Sequence, residues 1–443
     1  MIEQKDIQLS RELIDFLDRS PSSFHAVANM AETLNEAGFE RLSEGGSWEL
    51  KAGGSYYVTR NGSALIAFRI PAGAFTGFQI MASHSDSPTF KIKTNAEIET
   101  DKKYIKLNVE KYGGMICAPW MDRPLSVAGR IVIRTDKGVE ARLIAIDRDL
   151  LMIPNLAIHM NRSVNEGYTF NAQKDMLPLL GDLEAKGGFM KLIADEAGVT
   201  EEDILDTDLF LYNRMKGTLY GLQQEFVGSA RLDDLQCAFA SLKGFLAAKP
   251  RDSVAVHCVL DNEEVGSGTK QGAASTFLKD TLYRIVTAFG HNAETYQMAL
   301  ASSFMVSADN AHSVHPNQAE KADPTNRPYM NDGIVIKYSA NQKYTTDAIS
   351  GAIFRAICDK AEVPYQTFTN RSDMPGGSTL GNISSTQVAV NTVDIGLPQL
   401  AMHSPYETAG TKDTGYLVDA ARVLFSSSVK DDGAGNYQLQ LSF

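Results

Sequence analysis

Cysteine is scarce in this 443-residue chain: Cys117, Cys237, Cys258 and Cys358 are scattered, with no CxxC spacing. That pattern indicates neither a disulfide framework nor a cysteine-based zinc knuckle. Long apolar runs are missing too, and none approaches the roughly 18 residues a membrane span requires. Positive charge is not in excess, since 42 Lys and Arg face 54 Asp and Glu, for a formal net charge of −12. A surface of that sign argues against nucleic acid or an anionic membrane as a partner. The opening segment, MIEQKDIQLSRELIDFLDRS, has neither a basic leader nor an apolar core. No secretory signal is read there, and a cytoplasmic protein is expected. Histidine is sparse as well, with eight in all, so any one of them is a weak marker.

What is present is an ordinary globular composition, 43% apolar and 22% charged. The length suits two or three domains, or one large domain with an insertion. Residues 10–39 read as two helices interrupted at Pro21, with Ser22 or Ser23 as cap and an end near Gly38. SYYVTR and ALIAFRI follow as short strands joined through Asn61-Gly62, a strong hairpin signal. GFQIMAS is uniformly apolar, as expected of a strand buried on both faces.

The texture then changes. FKIKTNAEIET, YIKLNVEKYGG and GRIVIRTDKGVEARLIAI alternate with period two and show few helical signals. They predict an all-β insertion with one solvated face over residues 89–217. Afterwards helical and strand-like stretches alternate again, from DDLQCAFASLKGFLAA and SVAVHCVL to a closing helix, TGYLVDAARVLFSS. The expected fold is α/β: a mixed, mostly parallel sheet flanked by helices, built from residues 1–88 and 218–443 and interrupted by the β-rich insertion.

Chemistry-bearing residues cluster where apolar, strand-like runs end. FQIMASHSD ends at His84 and Asp86, and VAVHCVLDNEEVGSG at Asp261, Glu263 and Glu264. FMVSADNAHSVHPN carries Asp309, His312 and His315, and PQLAMHSPYE carries His403. Ligands of open α/β sheets collect at the carboxyl ends of strands, so all four endings are expected on one rim. A fifth stretch, SARLDDLQCAF, puts Asp233 and Asp234 at a helix start. Each has a plainer reading. Asp233 or Asp234 could be an N-cap, the two glutamates a solvated turn, His403 a satisfied buried imidazole, and His84 with Asp86 a turn hydrogen bond. Together they change the odds. Asp233, Glu264 and Asp309 supply three negative charges, which with a shared hydroxide balance two Zn²⁺, and His84 and His403 add neutral nitrogens. Asp86 can orient His84, and Glu263 is left as a base beside its neighbour, the ligand Glu264.

The motifs SHSDSP, RLDDL, LDNEEVGS, SADNAHSVHPN and LAMHS, in this order, resemble the aspartyl aminopeptidase family of dinuclear zinc enzymes. The likeness runs from SPSSFHAV to the final helix. It implies that His84, Asp233 and Asp309 bind one zinc and that Asp233, Glu264 and His403 bind the other, with cobalt or manganese as alternatives at one position. It implies Glu263 as general base. It also implies that the insertion mediates dimerisation and that dimers build a tetrahedral dodecamer with an enclosed chamber. His159, in PNLAIHMNR, matches a family histidine that reaches a neighbouring subunit's site; from the residues alone it reads as a core histidine. His312, Lys337, Tyr344 and the Gly376-Gly377 loop are implied to line the substrate site, with Lys337 meeting an acidic side chain. Without the resemblance Lys337 reads equally well as a strand-surface charge. Asp234 stands where some members carry asparagine, and either type is tolerable beside the metals. The expected substrates are short peptides with acidic N-termini. Neutral N-termini such as Leu, a related two-metal amidohydrolase and a non-catalytic scaffold are the alternatives.

Overall fold

The computed structural model describes residues 2–443. Its main sheet has nine strands, in the order Glu40–Leu42, Ser55–Arg60, Ala64–Arg69, Ser253–Leu260, Gly77–His84, Phe304–Ala308, Asn391–Gly396, Ile334–Lys337 and Tyr365–Phe368. The four strands from Ser253–Leu260 to Asn391–Gly396 are parallel neighbours, and antiparallel pairings flank them on both sides. Every residue of Gly77–His84 and of Ser253–Leu260 is buried. Along the first of these, Met81 packs into one apolar cluster while Ile80 and Ala82 pack into the other, on the opposite face. That is why these segments read as unbroken apolar runs rather than alternating ones. Asn61 and Gly62 adopt left-handed backbone, φ 59° and 69°, and join the Ser55–Arg60 and Ala64–Arg69 hairpin.

Directly after His84 the chain passes through residues 85–88 into a second, fully antiparallel sheet. Its order is Gly138–Ala145, Leu125–Thr135, Ile204–Asn213, Thr89–Thr100, Tyr104–Tyr112 and Leu179–Asp182. Its apolar core draws on residues from Phe90 to Leu211. This region is not all-β, because Gly188–Ala197 is a helix that buries Phe189 and Ile193. Gly187 and Gly198, both left-handed, bracket it, a start-and-stop signal that the surrounding β texture masked.

Three further features depart from the sequence reading. A helix at Phe277–Ala288 was not anticipated, and neither was the hairpin Ser428–Asp431 with Tyr437–Gln440 after the closing helix. The third concerns PQLAMH. Its strand, Pro398–Leu400, belongs to a separate five-stranded sheet with Thr218–Tyr220, Phe226–Ser229, Glu407–Gly410 and Ala311–His312. His403 therefore does not sit on the rim of the main sheet; it comes from the turn between two strands of this smaller one. Among the described residues, no helix is long and apolar enough to cross a membrane.

Candidate metal centre

The parallel strands Ser253–Leu260, Gly77–His84 and Phe304–Ala308 end side by side. Their C-terminal extensions bring Glu263 and Glu264, His84 and Asp86, and Asp309 together. Asp233 and Asp234 come from the segment entering the Leu232–Ala247 helix. Their dihedrals are not helical (ψ 109° and 19°), so they turn toward the site instead of capping the helix. His403 arrives from the smaller sheet with φ 67°. That left-handed geometry costs a non-glycine residue on the order of 1 kcal/mol.

Asp233 is the centre of the arrangement. Its Oδ1 lies 3.4 Å from His84 Nε2 and its Oδ2 lies 3.6 Å from His403 Nε2. His403 Nε2 is also 3.4 Å from Glu264 Oε2. These separations exceed a hydrogen bond. They match the edge of a tetrahedral metal site, about 3.4 Å for metal–ligand bonds of 2.0–2.2 Å. Three overlapping groups have ligand atoms within 4.8 Å of one another: His84, Asp233, Asp234 and Asp309; His84, Glu263 and Glu264; Asp233, Glu264 and His403. Asp233 Oδ1 and Glu264 Oε1 are buried with no hydrogen-bond partner, a condition a cation would relieve.

The histidines are oriented for such a role. His84 Nδ1 donates to the backbone carbonyl of Asp86 at 3.0 Å, and His403 Nδ1 donates to the carbonyl of Gly114. A carbonyl only accepts, so each Nδ1 carries a proton, and each Nε2 faces the carboxylates, where a ring deprotonated at that nitrogen would offer its lone pair to a cation. The Asp86 carboxylate, 3.4 Å from the same Nδ1, does something further. It accepts the backbone N–H groups of Glu263 and Glu264 at 3.1 and 3.2 Å.

The electrostatics describe crowded negative charge. Burial, reinforced by Asp309, Asp86 and Asp233 against the opposing pull of His84, pushes Glu263 up to about 8. Glu264 is raised well above the carboxylate range by burial and then Asp233. Against its burial, Asp233 is held low by His403 and His84. His84 is raised, its burial outweighed by Asp233 and Asp86. A bound divalent ion would stabilise these anions together.

Beside the centre is a cavity of about 190 Å³ lined by Glu263, Asp309, His312, Lys337, Tyr344, Gly377 and His403, among others. Gly376 lines an adjoining cavity of about 240 Å³, shared with Gly377 and His312. Lys337 is buried, so it is not a strand-surface charge; its Nζ donates to the Asn310 carbonyl at 2.8 Å and lies 3.7 Å from Asp309. A larger cavity, about 460 Å³, lies between the second sheet and the main sheet, with Asp86 in its lining. It lacks the convergent ligand atoms, so the smaller cavity is the one that matches the chemistry. His159 stands apart from all of these on an exposed loop, which also rules out the core-histidine reading. His315 is exposed too, and its Nδ1 accepts the Asn317 N–H within its own loop.

Two supporting residues escaped the sequence reading. Buried Glu407 accepts the backbone N–H of His403 at 2.8 Å and that of Asp233 at 3.1 Å, tying two elements of the centre to one carboxylate. Buried Asp394 accepts the hydroxyls of Thr379, which lines the 190 Å³ cavity, and of Thr345, next to the lining residue Tyr344, both at 2.7 Å. Glu407 stood in plain view in PQLAMHSPYE, but nothing local marks it as a partner of Asp233, 174 positions away.

A "Probable M18 family aminopeptidase 2" of Clostridium acetobutylicum is 50% identical over 422 residues, covering 94% of this chain and 98% of that protein. Among solved structures, a chain of the Ape4 and Nbr1 complex superposes with a TM-score of 0.92 at 36% identity, covering 95% of this chain and 86% of that one. The S. cerevisiae mApe1 dodecamer gives 0.83 at 26% identity, with 96% and 99% covered. The profile of the aminopeptidase I zinc metalloproteases, family M18, matches residues 16–425. With that match and the shared architecture, the chain belongs to the M18 family of zinc metallo-aminopeptidases, which are exopeptidase hydrolases.

Proposed function

We propose that this chain is a two-zinc aminopeptidase that removes single N-terminal residues from short peptides, with a preference for Asp or Glu. The observation that carries this reading is the Asp233 carboxylate, which offers one oxygen to each of two histidines at 3.4 and 3.6 Å. One ion would be held by His84, Asp233 and Asp309, the other by Asp233, Glu264 and His403, with cobalt or manganese able to replace zinc at one position. Zinc, when bound, supplies Lewis acidity to the scissile carbonyl and acidifies the attacking water. Glu263, in the lining of the 190 Å³ cavity, takes the water's proton and returns it to the leaving amine. Gly376 and Gly377 let the peptide backbone approach, and His312 and Tyr344 flank it. Lys337 pairs with an acidic side chain through a charge-assisted hydrogen bond. The likeness to the mApe1 dodecamer supports an assembly of the same kind built through the insertion, in which the partner subunit's His159 stabilises the oxyanion.

The test is a panel of Asp-, Glu- and Leu-amides with an N-acetylated Asp peptide, assayed before chelation, after it and after zinc is restored. Free amino termini are cleaved and the blocked one is not; chelation abolishes turnover and zinc restores it. Cleavage of the acetylated peptide would favour the amidohydrolase alternative. Glu263→Gln should keep its zinc and lower kcat about 10²–10⁴-fold. Retained turnover would overturn the base assignment.

A further inference from the structure

Tyr112 ends the Tyr104–Tyr112 strand of the insertion, yet its hydroxyl lies inside the hydrogen-bond system of the metal centre. It donates to Asp86 Oδ2 at 2.8 Å and accepts from Asn262 Nδ2 at 2.7 Å. Asp86 in turn holds the peptide N–H groups of Glu263 and Glu264. Asn262 leads into those glutamates with φ 61°, and its Oδ1 takes hydrogen bonds from Thr269 and Gln271, both at 2.8 Å. The ring is seated independently, edge-on to Phe210 at 5.7 Å. The next two residues touch the centre as well. Gly113, with φ +77°, packs where a Cβ would lie 3.1 Å from Glu264 Cβ, and the Gly114 carbonyl receives His403 Nδ1. One strand end of the insertion therefore meets three components of the site.

We propose that Tyr112 is a positioning residue: acting through Asp86 and Asn262, its hydroxyl sets the peptide that carries Glu263 and Glu264, and so couples the insertion to the catalytic base. This rests on the two-zinc reading above. Because the hydroxyl reaches neither the substrate cavity nor a zinc ligand's donor atom, its loss misplaces the base and Glu264 while leaving substrate contacts alone. Partners of this kind are worth about 10–100-fold in activity or metal affinity.

The experiment uses full-length, zinc-loaded Tyr112→Phe, which keeps the ring and removes the hydroxyl. The expected result is a kcat about 10-fold or more below wild type at a KM within about twofold, and zinc loss to a chelator about 10-fold faster. Asn262→Ala should give the same pattern, and the double variant should be no worse than the poorer single one, since both act on one chain of bonds. If Tyr112→Phe fails to assemble, Asn262→Ala carries the same test. A kcat within twofold of wild type with unchanged zinc loss overturns the proposal, as does a raised KM at unchanged kcat. Failure of the two-zinc reading would instead show in the wild type, as turnover that survives chelation.

Discussion

Lys337 answers to two negative charges, one present and one expected. Its ammonium is 3.7 Å from Asp309 and lies over the Tyr344 ring at 5.5 Å, in the lining of the 190 Å³ cavity. Lys337→Ala would therefore unbalance Asp309 and, on the proposed specificity, remove the partner of an acidic substrate side chain. The first loss falls on all substrates alike, so the ratio of kcat/KM for Asp-amide over Leu-amide isolates the second. That ratio should drop about 10–100-fold, the worth of a hydrogen bond to a charged group. An unmoved ratio would mean that Lys337 serves Asp309 alone. At this scale the sequence was most legible where residue type is decisive. His84, Asp233, Glu263, Glu264, Asp309 and His403 carry chemistry in their side chains and sit in short, recognisable motifs. Tyr112, Glu407 and Asp394 were silent, because their roles lie in hydrogen bonds to residues far along the chain.

Among the elements, the strand Asn391–Gly396 shows how packing governs the site. Gly396 crosses the chain at Asp309–Ala311 so closely that an added Cβ would overlap the Asp309 carbonyl. Gly396→Ala should displace the segment carrying Asp309. The expected result is about 1–3 kcal/mol of lost stability, the usual cost of overpacking, together with weaker zinc retention. Thermal unfolding and metal analysis of the purified variant would check this, and a variant with wild-type zinc retention would refute it. The strands themselves were readable because burial on both faces writes an uninterrupted apolar run. The Gly188–Ala197 helix was not, since ten residues amid alternating strands give periodicity little length in which to declare itself. His403 was legible as a residue but not as a location. An apolar run before it looks the same whether its strand joins the nine-stranded sheet or the five-stranded one.

For the whole molecule, the exposed loop around His159 is the telling surface. Leu156, Ile158 and Met160 are 54, 48 and 73% exposed, an apolar display that suits a partner subunit. If His159 acts across an interface, His159→Ala and Glu263→Gln oligomers are each impaired for a different reason. Unfolded together and reassembled, they should regain activity, because an intact Glu263 can then meet the partner subunit's intact His159. Random pairing of equal amounts would restore about a quarter of the sites, provided interfaces are two-fold. No recovery in verified mixed oligomers would place His159 outside the reaction.

What the sequence by itself determined was local. Periodicity marked the buried strands and most helices, the change of texture after Pro88 marked the start of the second sheet, and the residue types at strand ends marked a candidate metal centre. What only the tertiary structure decided was which atom faces which. Asp233 turns one oxygen to each histidine, Glu407 joins Asp233 to His403, and Tyr112 reaches Asp86 and Asn262 across a boundary between sheets. The physical reason is that side-chain pattern reports the face an element buries, whereas the meeting of distant residues depends on strand order and register, which leave no mark in the local pattern.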